Sequence, residues 1–111
     1  MKDRKEFKSM LTSKQRAFLR SLAVDEETVL MVGKGGMSEN IIKQADDALT
    51  ARELIKGKVL ETAGVTSREI AEQLALETNS EVVQVIGSKF VLFRRNPEEP
   101  KIELPKARKG K

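Results

Sequence analysis

The chain reads as an α/β fold, a compact sandwich in the order α-β-α-β-α-β-β built on a four-stranded mixed sheet. Three observations predict it. Apolar residues recur at helical spacing in three stretches, each opened by a capping residue at Thr12, Ser38 or Thr66. Short β-rich runs stand between and after those stretches. The last two runs meet at Gly87-Ser88, a two-residue hairpin signal. A strand–helix–strand unit crosses over right-handed and makes its strands parallel neighbours, whereas a hairpin is antiparallel, so the sheet is mixed.

The elements follow in order. Residues 1–10 are charged, lack an apolar period and read as a flexible basic arm. Leu11, Gln15, Phe18, Leu19 and Leu22 define the first helix, with Thr12 and Gln15 as a capping box. Arg16 and Arg20 lie one turn apart on its opposite side, with Lys14 at the border. Asp25-Glu26-Glu27 is a polar connection to a buried strand, Thr28 to Val32. Ser38 caps a second helix to about Ala51, striped by Ile41, Ile42, Ala45, Ala48 and Leu49, with Lys43 and Asp47 as an exposed i, i+4 pair. Glu53 to Leu60 is the next strand. Its alternation puts Leu54, Lys56, Lys58 and Leu60 on one face and Ile55, Gly57 and Val59 on the other. Two lysines on one strand face are costly to bury, so that part of the face should meet solvent or an anion. Thr66 and Glu69 frame a capping box for a third helix to about Glu77. Glu81 to Ile86 and Lys89 to Arg95 form the hairpin. From Asn96 onward, three prolines and mixed charge read as an extended basic tail over 96–111, leaving 11–95 as the folded domain.

Composition narrows the function. The 111 residues are 39% hydrophobic, enough for one domain with one modest core. With 21 Lys+Arg against 17 Asp+Glu the net charge is +4, which suits an anionic partner, although solubility alone would explain it. There is no cysteine and no histidine, which removes thiolate nucleophiles, disulfides, the usual transition-metal ligands and the commonest general base. Asp46-Asp47 and Glu98-Glu99 are splayed neighbours that complete no nucleophile–base arrangement. The expectation is a protein without catalytic activity, metal or cofactor. No apolar run is long enough to span a bilayer, and no apolar segment follows the basic start as in a secretory signal. A cytoplasmic chain, monomeric and without a membrane partner, is expected.

The most informative stretch is Val32-Gly33-Lys34-Gly35-Gly36-Met37-Ser38. Gly33, Gly35 and Gly36 bare the backbone of a turn, so its N–H groups can approach a ligand closely. The helix opening behind it points unpaired N–H groups and a positive dipole end the same way. Lys34 adds a mobile cation. Together these suit one passing phosphate. The spacing matches neither a nucleotide-triphosphate loop nor a dinucleotide fingerprint. Glu39 would repel a phosphate on the helix axis, so contact should come from the loop, off to one side. A tight structural turn is the plainer alternative.

Several separated blocks recur in the order and spacing of one family: Lys14-Gln15-Arg16, the glycine loop from Val32 to Ser38, Ala48-Leu49, Glu53 to Val59 and Val91 to Arg95. On these blocks the chain resembles the CRM domain (chloroplast RNA splicing and ribosome maturation), in its free-standing bacterial YhbY-type form, over Leu11 to Arg95. The resemblance implies a fold similar to the C-terminal domain of translation initiation factor three. It also implies RNA binding through the glycine–lysine loop and neighbouring basic surface, association with precursors of the large ribosomal subunit, and no catalysis. Lys14, Arg16, Arg20, Lys56 and Lys58 are expected to widen the positive surface around Lys34. Gly57 stands where the family usually has a β-branched residue, which should loosen that strand. Tyr and Trp are absent and the four Phe are mostly claimed by the core, so recognition should rest on backbone and shape, as suits structured RNA. Two other classes stay open: a module that reaches ribosomes or translation factors through protein contacts, and a small phosphate-handling enzyme. Charge alone does not separate RNA from DNA.

Overall fold

The computed structural model describes residues 11–105. The sequence-predicted basic arm, 1–10, and the end of the tail, 106–111, lie outside the described residues. Along the chain run α1 (Ser13–Ala23), β1 (Thr28–Val32), α2 (Glu39–Arg52), β2 (Leu54–Val59), a short 3-10 turn (Glu61–Ala63), α3 (Ser67–Thr78), β3 (Glu81–Ile86) and β4 (Lys89–Phe93). The sheet order is β1-β2-β4-β3. β1 and β2 are parallel, while β2–β4 and β3–β4 are antiparallel. The predicted mixed α/β sandwich is thus the observed one.

Local chemistry starts each helix where the sequence places it. Thr12 and Gln15 close a capping box on α1, and Thr66 and Glu69 close one on α3. Ser38 accepts from the Ile41 amide and starts α2. α3 ends at Asn79, whose left-handed φ of 57° an amide side chain tolerates.

The sheet's two faces are covered unequally. α2 and α3 pack on one face over Leu30, Val32, Ile55, Val59, Phe90 and Leu92. α1 alone covers the other, where Leu19 and Ala23 meet Leu54, Val83, Val91 and Phe93. Arg94 fastens the two-helix face: its guanidinium donates to Asp46 Oδ1 at 2.6 Å, the Thr78 carbonyl at 2.8 Å and Thr50 Oγ1 at 2.8 Å. It ties α2 to the end of α3.

Three findings depart from the sequence reading. β2 begins at Leu54, because Glu53 has left-handed φ of 67° and ends α2. Its side chain is fully buried, and its carboxylate accepts the amides of Asn96 at 2.6 Å, Lys101 at 2.8 Å and Ile102 at 2.8 Å. Burial pushes its pKa up, but those three bonds and the Arg95 charge more than offset it, so the net shift is downward. Second, Glu53 fastens the described start of the tail to the domain. Ile102 and Leu104 pack against the same buried cluster as Leu11, Phe18 and Leu22, and Gln15 donates to the Pro105 carbonyl at 2.9 Å. Third, Gly57, expected to loosen its strand, stands inside an unbroken β2 and has a packing reason. It faces Phe90 across the ladder, and a Cβ there would sit 2.3 Å from the ring. The glycine is the space that the buried ring fills.

Candidate functional site

β-strand register, more than any motif, builds the site. On the α1 side the outermost row across the sheet is Met31–Lys58–Lys89–Ile86, set by three consecutive strand pairings. α1 ends before it covers that row. Met31 is 54% exposed and Ile86 60% exposed, so the row meets solvent. Lys58 and Lys89 are direct cross-strand partners. Their Cβ atoms are therefore about 5 Å apart, a like-charge pairing that weakens a sheet unless an anion lies against it.

One row inward, Lys56 pairs with Val91 and Thr28. Beside it a groove is lined by Arg20, Ala23 and Val24 of the α1 end, Lys56, Gln84, Ile86, Lys89 and Val91. Arg20, Lys56 and Lys89 thus share one concavity. It has no acidic lining residue.

The glycine loop lies at the same end of the sheet. It leaves β1 at Val32, whose partner on β2 is Val59, one residue beyond Lys58. The loop closes on itself when the Gly36 amide donates to the Gly33 carbonyl at 3.0 Å. Gly35 has φ of 96° and Gly36 φ of 61°, and Gly33 has no such requirement. A Cβ at Gly35 would meet nothing within 4 Å, so that side is open. Lys34 and Gly35 are exposed, and among the described residues nothing accepts their amides. Gly36 is buried against the Ala63 carbonyl and Val65. A second groove opens between this loop and α3, lined by Met37, Val65, Ile70 and Leu76 with Glu69, Glu72 and Gln73. Gly35 lines this groove too, but the carboxylates of α3 make the Lys34 side the favourable approach for an anion.

The structure does not gather every expected residue. Arg20, Lys56 and Lys58 stand with the loop's end of the sheet, together with Lys89, which the sequence pattern marks only as a strand residue. Only the β2–β4 register, unknown until the sheet forms, sets it opposite Lys58. Arg16 is turned away: its guanidinium donates to the Val82 carbonyl, at the bulge of β3 between Val82 and Gln84. It holds α1 to β3. Lys14 is exposed in the first turn of α1, about 9 Å along the helix from Arg20, and lines neither groove.

Among the described residues no group of His, Cys, Asp and Glu could hold a metal ion, and no helix is long and apolar enough to cross a membrane.

Residues 11–94 match the family model of the CRS1 / YhbY (CRM) domain. A relative from Bacillus subtilis (strain 168), named "Probable RNA-binding protein YqeI", is 46% identical over 86% of this chain and 100% of its own length. One from Haemophilus influenzae, named "RNA-binding protein", is 38% identical over 86% of this chain and 96% of its own. The solution structure of SAV1595 from Staphylococcus aureus superimposes with a TM-score of 0.70 and 48% identity, covering 86% of this chain and 100% of that one.

Proposed function

The chain belongs to the CRS1/YhbY (CRM) domain family, and from that premise we propose that it binds structured ribosomal RNA in precursors of the large ribosomal subunit, as a non-catalytic assembly factor in the cytoplasm. Its relatives' names support the RNA partner. The observation that carries the reading is the bare Lys58–Lys89 pair on the uncovered sheet row, next to Lys56, Arg20 and the open loop. A sheet tolerates like charges face to face at some cost in stability, and a phosphate between them removes that cost.

In this reading Lys34 and the amides of Lys34 and Gly35 take one backbone phosphate, while Gly33 and Gly36 shape the turn. Lys56, Lys58, Arg20 and Lys89 follow the strand along the sheet face. Arg16 positions α1, and Lys14 contributes long-range attraction. Contacts of this kind go to the sugar–phosphate backbone and read shape more than sequence. Val24, Met31 and Ile86 are exposed apolar side chains along the same track, placed to meet sugar or base surfaces without stacking.

Filter binding of a structured ribosomal RNA fragment across a salt series tests it. Lys34→Ala is expected to weaken binding and to lower the slope of log K against log salt by about 0.7–0.9, the value of one phosphate contact. Unchanged affinity and slope would remove the loop from the interface.

A further inference from the structure

The groove between the glycine loop and α3 has the opposite chemistry to the basic one. It is an open groove of about 560 Å³ between Gly35 and Gly36 of the loop and α3, with Met37, Val65, Ile70 and Leu76 as its apolar lining and Val65 39% exposed. Glu69 and Glu72, one turn apart on α3, form the rim. Glu69 spends one oxygen on the Thr66 amide at 3.2 Å. Glu72 meets Arg68 at 3.5 Å, with both side chains at least 60% exposed, a weak and hydrated pair. No lysine or arginine lines this groove. A nucleic-acid strand laid here would bring phosphates against two carboxylates, of which only Glu72 has a cation, Arg68, beside it. The complementary occupant is cationic and carries an apolar anchor.

We propose that this groove docks a lysine- or arginine-bearing segment of a protein, which inserts an aliphatic side chain between the loop and α3 and sets its cations against Glu69 and Glu72. The apolar lining supplies the area that excludes water, and the acidic rim supplies selection of a basic protein over a polyanion. The two partners then meet at Gly35, which lines this groove and which the RNA reading sets against a phosphate, with RNA on the Lys34 side of the loop and the protein on the α3 side. The inference does not depend on which RNA the sheet face holds.

Amide chemical shifts of the full chain test it with three probes: a synthetic peptide with leucine and lysine at helical spacing, the same peptide with glutamate for every lysine, and a structured RNA hairpin. The leucine–lysine peptide is expected to move the Val65, Gln73 and Leu76 amides, the glutamate peptide to leave them still, and the RNA to move residues around Lys58 and Lys89. The double variant Glu69→Gln, Glu72→Gln keeps the α3 cap, because glutamine serves in a capping box. It should weaken the leucine–lysine peptide about fivefold and leave RNA affinity unchanged. Equal binding of both peptides, an unmoved affinity in the double variant, or RNA shifts centred on Val65 and Gln73 would overturn the proposal, the last by giving the groove to RNA.

Discussion

The two faces of the sheet answer to different rules. The face under α2 and α3 is closed, so its residues are chosen by volume: Gly57 is small because Phe90 is large. The face under α1 is half open, so beyond the helix end its residues are free to carry charge, and Lys58 stands against Lys89. Strand alternation makes both faces from one sequence, and β2 shows it in successive residues. Ile55, Gly57 and Val59 serve packing, whereas Lys56 and Lys58 serve the surface. The lesson is that substitutions on adjacent residues of β2 should be felt in different measurements, stability for one face and affinity for the other.

The strongest attack on that division is Gly57→Ala. A methyl group 2.3 Å from the Phe90 ring forces a buried side chain or the strand to move. The expected cost is about 3 kcal/mol of unfolding free energy, with RNA affinity of the folded fraction unchanged. Denaturant melts followed by circular dichroism read this, since the chain has no Trp or Tyr to follow by fluorescence. A loss of RNA affinity with stability intact would mean that the closed face also serves binding.

Next in size is Glu53→Gln, which removes a buried charge that holds three amides. About 2 kcal/mol should be lost at neutral pH, as expected for hydrogen bonds to a charged group. The wild-type pKa is depressed on folding, so the unfolded chain binds the proton more tightly. That carboxylate's contribution is therefore complete above the ordinary glutamate range and fades as pH falls through the lower folded value. Melts across this acid window should slope for the wild type and be flatter for the glutamine variant. Equal slopes would show that other carboxylates govern acid unfolding.

The smallest free-energy change sharpens the contrast most. Lys58→Ala with Lys89→Ala is expected to raise stability by a few tenths of a kcal/mol, by removing a like-charge pair. The same change should lower RNA affinity about tenfold at low salt and take about 1.4–1.8 off the salt slope, two phosphate contacts. If stability falls instead, the pair is held by structure and not by its ligand.

Much of this architecture was legible in the sequence because it depends on near neighbours. The boxes at Thr12–Gln15 and Thr66–Glu69, the Ser38 cap and the Gly87-Ser88 turn each involve residues within a few positions of one another. Lys34, Gly35 and Gly36 were likewise readable as a bare turn. What was not legible depends on partners far along the chain. Glu53 looked like the first residue of a strand, since nothing nearby shows that the amides of residues 96, 101 and 102 will close on it. Gly57 looked like a weak point until Phe90 was opposite it. Arg16 looked like part of the basic surface, and the bulge in β3 claims it. Lys89 carried no signal of its own. Alternation assigns a residue to a face, but the neighbours across the sheet decide what it does there.

Glu53 also makes the α2–β2 corner depend on chain that follows the last described strand. Every described helix and strand is complete by Phe93, yet two of the three amide donors to this carboxylate belong to Lys101 and Ile102. A chain cut between those points would hold the described sheet around an acid that still needs water, so the α2–β2 corner would stay hydrated and unfinished. The stretch up to residue 102 is thus the bolt that dries the corner and locks the domain shut.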